Sequence, residues 1–360
     1  MNDLRRDVGQ LLWIGFEGTA VDADLDRCLR AGEAGAVILF RRNLPEQGGA
    51  LDVDGLVALD AALHAAGAAS GERLLIAVDQ EGGQVQRVRA PATRWPPMLR
   101  LAELPEGEAV ALARRMGAAL GAELASLGFD IDFAPVLDVH TNEANPIIGD
   151  RAFGREPEAA AARALAFADG LADAGILSCG KHFPGHGDTA QDSHLELPRL
   201  PHDLDRLRRV ELVPFARAAE RGVPMIMTAH VVFEALDPGV PATLSRRVIG
   251  DLLRGELGYR GVVVSDDLDM RAIAGHMGVA DAAVGAIEAG CDVLLLCRDR
   301  GHQEQAREGL VRAGEASSSV RERIGQAAAA VRELKRRPEP TRPDPRAALG
   351  AGDGLLARLG

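Results

Sequence analysis

Residues 157–194 read PEAAAARALAFADGLADAGILSCGKHFPGHGDTAQDSH. Four features follow one another in this stretch. The alanine-rich segment 157–174 has the apolar spacing of an amphipathic helix. Gly175 stands where a helix end needs a residue tolerant of the left-handed conformation. The run Ile176–Cys179 is short and continuous, as expected of a strand buried on both faces. Polar, chemistry-bearing side chains begin at Lys181. Helix, cap, buried strand and polar loop together describe one unit of a parallel α/β fold.

The same order recurs along the chain. Apolar runs lie at Leu11–Phe16, Ala36–Phe40, Leu74–Val78, Ile131–Val136, Ile176–Cys179, Met225–Thr228, Val262–Val264 and Val293–Leu296. Helical candidates fall at 24–33, 53–67, 106–127, 157–174, 203–221, 244–257, 271–289 and 302–335. Eight alternations predict a single-domain (β/α)8 TIM-type barrel over residues 1–335, rather than an open doubly wound sheet of about six strands. Gly32, Gly67, Gly128, Gly222 and Gly290 mark further helix ends, and Asp203 and Ser245 are candidate N-caps. Residues 336–360, rich in Pro, Arg and Gly, are expected to form a loosely packed C-terminal tail.

Composition narrows the partners. The 360 residues are 47% hydrophobic and 26% charged, enough apolar material for a large core. A net charge of -12 repels phosphate backbones, and nine Phe, two Trp and one Tyr offer few stacking surfaces. No nucleic-acid partner is expected. The charged start, Met1 to Asp7, leads into no apolar stretch with a cleavage site, and no window of about eighteen apolar residues occurs. Neither a signal peptide nor a membrane span is expected. Cys28, Cys179, Cys291 and Cys297 are scattered without a C-x-x-C pair, which predicts reduced thiols and a cytoplasmic location.

Barrels carry their chemistry at the C-terminal ends of the strands. The segment from His182 to His202 is too long for an idle connection and holds four of the nine histidines. Within it, Asp192 lies two residues from His194, close enough to fix an imidazole tautomer and raise its basicity. A surface turn would use the same spacing. Asp266 follows the run Val262–Val264 after Ser265, so it sits at the barrel rim, placed to attack an anomeric carbon or to cap a helix starting near Arg271. Asp267 and Asp269 suit capping or supporting roles. Asp79, Arg87, Arg151, Lys181 and His182 offer the carboxylates and cations that clamp sugar hydroxyls, or equally rim salt bridges.

Three motifs in order are more specific. Asp79-Gln80-Glu81-Gly82-Gly83, then Lys181-His182-Phe183-Pro184-Gly185-His186-Gly187-Asp188-Thr189 with Asp192-Ser193-His194, then Ser265-Asp266-Asp267-Leu268 with Met270, resemble the β-N-acetylglucosaminidases of glycoside hydrolase family 3. The resemblance covers about residues 8 to 300. It implies a retaining exo-enzyme with Asp266 as nucleophile and His194 as acid/base, assisted by Asp192. It implies sugar contacts from Asp79, Arg87, Arg151, Lys181 and His182, with no metal and no cofactor. Single-domain bacterial members act on N-acetylglucosamine-containing muropeptides in peptidoglycan recycling, so a small carbohydrate is the expected partner. Gln84 departs from the pattern, since the resemblance leads one to expect Arg after the double glycine. Low aromatic content agrees with a pocket for one sugar.

Rival readings remain. A metal-dependent barrel hydrolase would draw on Lys181 or His182, His230 and a strand-end Asp, but no His-x-His follows strand one. Transfer to phosphate instead of water is a second, because a histidine acid/base does not repel an anion. A catalytically silent barrel is the third.

Overall fold

The computed structural model describes residues 3–190, 197–275 and 277–357. Strands β1 (Leu12–Ile14), β2 (Ala36–Leu39), β3 (Leu75–Val78), β4 (Ile131–Asp132), β5 (Leu177–Phe183), β6 (Met225–Thr228), β7 (Val262–Asp267) and β8 (Val293–Leu296) close into a barrel. All eight ladders are parallel, each strand lies beside its neighbours in sequence, and β8 returns to β1 with Trp13 opposite Leu295. The predicted architecture is present, one strand per apolar run.

The strands are apolar throughout because both faces are covered. In β2, Ala36 and Ile38 point into the barrel, and in β3 Leu75 and Ala77 do so, packing with Trp13, Phe133, Met225 and Val264. Val37, Leu39, Ile76 and Val78 face the helices instead. A continuous run thus hides a two-residue alternation between two cores.

The outer layer contains α1 (Asp3–Leu11), α2 (Ala23–Arg30), α3 (Val53–Ala68), α4 (Glu106–Leu127), α5 (Pro157–Asp173), α6 (Leu204–Arg209) and α7 (Val213–Arg221). After a π-helical turn at Arg247–Glu256 come α8 (Arg271–Ala274), α9 (Val279–Ala289), α10 (Arg300–Ala316) and α11 (Ser318–Lys335). Three segments predicted as single helices are broken. Pro214 opens α7, the segment predicted at 271–289 is split into α8, ending at Ala274, and α9, starting at Val279, and Ser317 ends α10 and caps α11 by accepting from Val320 N. Asp203 and Ser245 cap as expected, accepting from Arg206 N and Val248 N. Gly67 lies near the end of α3 as expected, one residue before Ala68, but not in the left-handed conformation; it is buried where a Cβ would run into Leu74. Among the described residues, no helix is long and apolar enough to cross a membrane.

Two elements differ from expectation. The charged N-terminus forms α1, which packs against α11 and buries Leu4, Val8 and Leu11 at helical spacing. The tail is docked rather than loose. Arg342 donates to the carbonyls of Ala125 and Phe129 and pairs with Asp130 at 3.1 Å, satisfying acceptors at the end of α4. Beyond it, α12 (Pro345–Ala348) and α13 (Asp353–Leu356) lie on α4, with Leu349, Leu355 and Leu356 against the outer core. At the N-terminal end of the barrel, Val331 and Leu334 of α11 plug the interior, and Lys335 Nζ donates to Gln10 Oε1 at 2.6 Å.

Candidate active site

The C-terminal strand ends open into a cavity of about 600 Å³. β3 delivers Asp79, and the hairpin after it, Gln80–Gly82 against Val85–Gln86, delivers Glu81 and leads to Arg87. The loop after β4 supplies Arg151, β5 supplies Lys181 and His182, and β7 supplies Asp266. All seven side chains line the one cavity.

A charged lattice joins five of them. Lys181 Nζ donates to Asp79 Oδ1 at 2.8 Å and lies 2.5 Å from Glu81 Oε1. Arg151 grips Glu81 with a two-pronged contact, Nε to Oε2 at 2.7 Å and Nη2 to Oε1 at 2.8 Å. Arg87 Nη2 stands 3.6 Å from Asp79 Oδ2. Burial opposes ionisation of both acids. Lys181 and Arg87 overcome it at Asp79, and Arg151 and Lys181 at Glu81, so both carboxyls are held below the usual range. In return the acids outweigh burial at Lys181 and Arg151 and push both upward. The lattice is therefore fully charged at neutral pH, with oriented donors and acceptors.

His182 is fixed from behind. Its Nδ1 donates to Asp138 Oδ2 at 2.7 Å, and Asp138 Oδ1 also accepts from the backbone N–H groups of His182 and His186 at 3.2 and 2.7 Å. In the neutral ring this leaves Nε2 unprotonated. The buried His186 contacts Thr189 Oγ1 through Nδ1 at 2.7 Å. Burial drives its imidazole down to about 4, against the pull of Asp138. It is neutral at working pH.

Asp266 is half-buried at the end of β7, and its Oδ1 accepts from Asp267 N at 2.8 Å. Burial raises its carboxyl, but His230, His182, that backbone N–H and Lys181 bring it below the usual range. Its neighbour goes the other way: burial and then Asp269 push Asp267 up to about 7. Asp267 Oδ1 accepts from the N–H groups of Asp269 and Cys297, each at 3.1 Å, tying the β7 and β8 loops. Asp269 accepts from Arg298 N and His302 Nδ1 at 2.9 and 2.7 Å. Asp266 does not cap the following helix. Met270 precedes α8, with no side-chain cap. His230 is clamped between Thr243 Oγ1 at 2.8 Å and the Asp267 carbonyl, to which Nε2 donates at 3.0 Å.

Asp79, Arg87, Arg151, Lys181, His182 and Asp266 thus converge, whereas Asp192 and His194 lie outside the described residues. Glu81 and Asp138 were given no role from sequence, and His230 only one in a rival metal centre. Asp138 had a usable signal, as the acid that follows the buried apolar run ending at Leu137, and Glu81 lies three residues beyond the strand ending at Val78. Of the groups invoked for a metal centre, Lys181 is held by two carboxylates and His230 by Thr243 and a carbonyl, while His182 is held by Asp138 through Nδ1 alone. The cavity also takes Arg41, Arg42, Arg271 and Arg298 from three different loops.

The barrel has counterparts among known proteins. Residues 3–334 match the glycosyl hydrolase family 3 N-terminal domain. A β-hexosaminidase of Alkalilimnicola ehrlichii is 47% identical over 291 residues, 79% of this chain and 80% of the relative. One from Pseudomonas aeruginosa is 41% identical over 304 residues, 84% of this chain and 86% of the relative. Among solved structures, a family 3 β-N-acetylglucosaminidase from Paenibacillus sp. superposes with a TM-score of 0.87 at 39% identity, covering 100% of this chain and 68% of that one. NagZ of Neisseria gonorrhoeae, in complex with N-trifluoroacetyl-D-glucosamine, gives 0.74 at 32% identity, covering 89% and 98%. With a barrel matched almost end to end, the chain belongs to glycosyl hydrolase family 3.

Proposed function

We propose that this glycoside hydrolase of the β-N-acetylhexosaminidase class removes a terminal, non-reducing β-linked N-acetylglucosamine with retention of configuration. Asp266 is the nucleophile and His194 the acid/base, assisted by Asp192. The observation that carries the reading is the split between adjacent acids beside the charged lattice: Asp266 is held ionised while Asp267 is pushed up to about 7. An ionised carboxylate at the rim has the charge a nucleophile needs.

The residues divide the work. Asp79, Arg87, Arg151, Lys181 and His182 hold the hydroxyls of one sugar, and the lattice costs no reorganisation when the sugar enters. A carboxylate oxygen of Asp266 bonds to the anomeric carbon as the bond from that carbon to the leaving oxygen breaks. His194 gives that oxygen its proton. Water then yields a proton to His194 and attacks the same carbon, releasing Asp266. Arg41, Arg271 and Arg298 at the mouth suit an aglycone bearing carboxylates, which favours muropeptides and a place in peptidoglycan recycling in the cytoplasm.

A slow 2-deoxy-2-fluoro glycoside tests the nucleophile, since it lacks the acetamido group that serves as nucleophile in other glycosidases. Mass spectrometry should find the covalent adduct on Asp266. An adduct on Asp267, or none, overturns the assignment. The anomer formed first, followed by NMR, should be β. Turnover of a 4-nitrophenyl glycoside panel should favour the N-acetyl-β-glucosaminide, and added phosphate should leave the product free N-acetylglucosamine, not its 1-phosphate.

A further inference from the structure

The sugar-holding hairpin after β3 is braced by a buried polar chain that ends in the C-terminal tail. Glu123, on α4, is 2% exposed and is at the centre of it. Its Oε1 accepts from Thr93 N at 2.9 Å, Thr93 Oγ1 at 2.6 Å and the tail's Gly350 N at 2.9 Å, and its Oε2 from Trp95 Nε1 at 3.2 Å. Gly352 N donates to Thr93 Oγ1 at 3.1 Å. The buried Gly352 lies so close to the Trp95 indole that a Cβ there would run into the ring.

From Trp95 the chain continues inward. Trp95 N donates to Gln86 Oε1 at 3.0 Å, and the Trp95 carbonyl accepts from Gly83 N at 3.0 Å. Gln86 Nε2 donates to the carbonyls of Thr93 and Val88 at 2.7 and 3.0 Å. Gln80 then closes the hairpin, its Oε1 accepting from Arg87 N at 2.9 Å and Val88 N at 3.0 Å. Gln80 and Gln86 flank Glu81 and Arg87, and Gln80 follows Asp79. Every amide or carboxylate in the chain is nine-tenths or more buried, so none has water as a substitute partner.

We propose that Glu123 and the tail segment Gly350–Gly352 are positioning residues for sugar binding, setting the hairpin that carries Asp79, Glu81 and Arg87. The proposal rests on the reading that Asp79 and Arg87 hold the sugar. The tail supplies one of the four hydrogen bonds to Glu123 and walls the outer side of Trp95. Losing it frees Thr93 and Trp95 to shift, and Gln86 transmits the shift to the hairpin.

The test measures inhibition by free N-acetylglucosamine in three full-length variants and one truncation, each held well below its unfolding temperature. Gly352→Ala puts a methyl against Trp95 at an ordinary backbone conformation and should raise Ki on the order of five- to tenfold. Deleting residues 345–360, which leaves Arg342 on Asp130, should do the same. Gly354→Ala, whose added methyl meets nothing within 4 Å, should leave Ki unchanged. A Ki within about twofold of wild type for Gly352→Ala, whatever happens to Tm, overturns the proposal. If the truncated chain does not fold, Gly352→Ala decides alone. Asp79→Ala separates the two layers. No effect of Asp79→Ala on Ki removes the sugar-holding reading itself, whereas a large effect there with none from Gly352→Ala removes only the brace.

Discussion

Lys181 and Glu81 form an ion pair at 2.5 Å with each side chain 3% exposed. Neither charge is tolerable alone at that depth, and removing one partner of a buried pair typically costs about 3–5 kcal/mol. Lys181→Met should therefore destabilise the protein by about 3 kcal/mol, the lower end, because Arg151 still holds Glu81. Urea unfolding measures this. A shift below about 1 kcal/mol would show that Arg151 alone neutralises the carboxylate.

The same lattice sets a pH dependence. Glu81 and Asp79 have folded-state pKa values below their unfolded ones. Their contribution to stability is fully present above the unfolded values, near ~4, and is lost as pH falls toward the folded values. Asp60 and Asp132, which burial raises well above the usual range, work in the opposite sense. The informative quantity is the difference in unfolding free energy between wild type and Glu81→Gln. It should be constant from about pH 7 to 5 and shrink below about 4. A difference that grows on acidification would contradict the charged lattice.

Asp79→Ala removes the acceptor of Lys181 Nζ at 2.8 Å and the neighbour of Arg87. If Asp79 also takes a sugar hydroxyl, binding and turnover should weaken together, kcat/KM falling by the equivalent of about 1.5–3 kcal/mol. Unaltered kinetics would make Asp79 a structural partner of Lys181 and nothing more.

How much of this was legible depended on distance along the chain. Asp266 and Lys181 could be placed because each follows a buried apolar run, and a barrel strand ends at the mouth by construction. Their partners could not. Which acid near residue 80 reaches Lys181 is decided by the hairpin Gln80–Gly82, which turns Glu81 back toward β5. Arg151 and Glu81 are seventy positions apart, and only the packing of the β4 loop over β3 joins them. The tail misled for the same reason. Its Pro, Arg and Gly content describes a solvated chain, but the acceptors that anchor Arg342 lie more than two hundred residues earlier. Local pattern set the barrel, and long-range polar pairing finished the site.

Arg271 and Arg298 are exposed, line the mouth, and have no ion-pair partner among the described residues. Substituting both with Ala should lower kcat/KM for a disaccharide whose second sugar carries a carboxylate. A neutral aryl N-acetyl-β-glucosaminide should be spared. Exposed pairs are worth about 1 kcal/mol at most, so a drop of roughly tenfold for the pair is expected, diminishing with added salt. Equal losses on the two substrates would remove any role in selecting an acidic aglycone.

The histidines at the end of β5 and in the loop after it can be separated by their partners. His182 is held by Asp138, His186 by Thr189, and His202 pairs with Asp188 through Nε2. His186 is also neutral, driven down to about 4 by burial, and so is unsuited to giving up a proton at neutral pH. His194, proposed above as the acid/base, lies beyond the described residues. An acid matters most when the leaving group is poor. His194→Ala should lose far more activity on an unactivated disaccharide than on an activated aryl glycoside, by a factor within about 10²–10⁴. Asp192→Ala should show the same asymmetry more weakly, because it removes only the group that orients the ring. His186→Ala should lose loop packing, with equal effects on both substrates. A stronger asymmetry for His186→Ala than for His194→Ala would transfer the acid/base role to the buried ring.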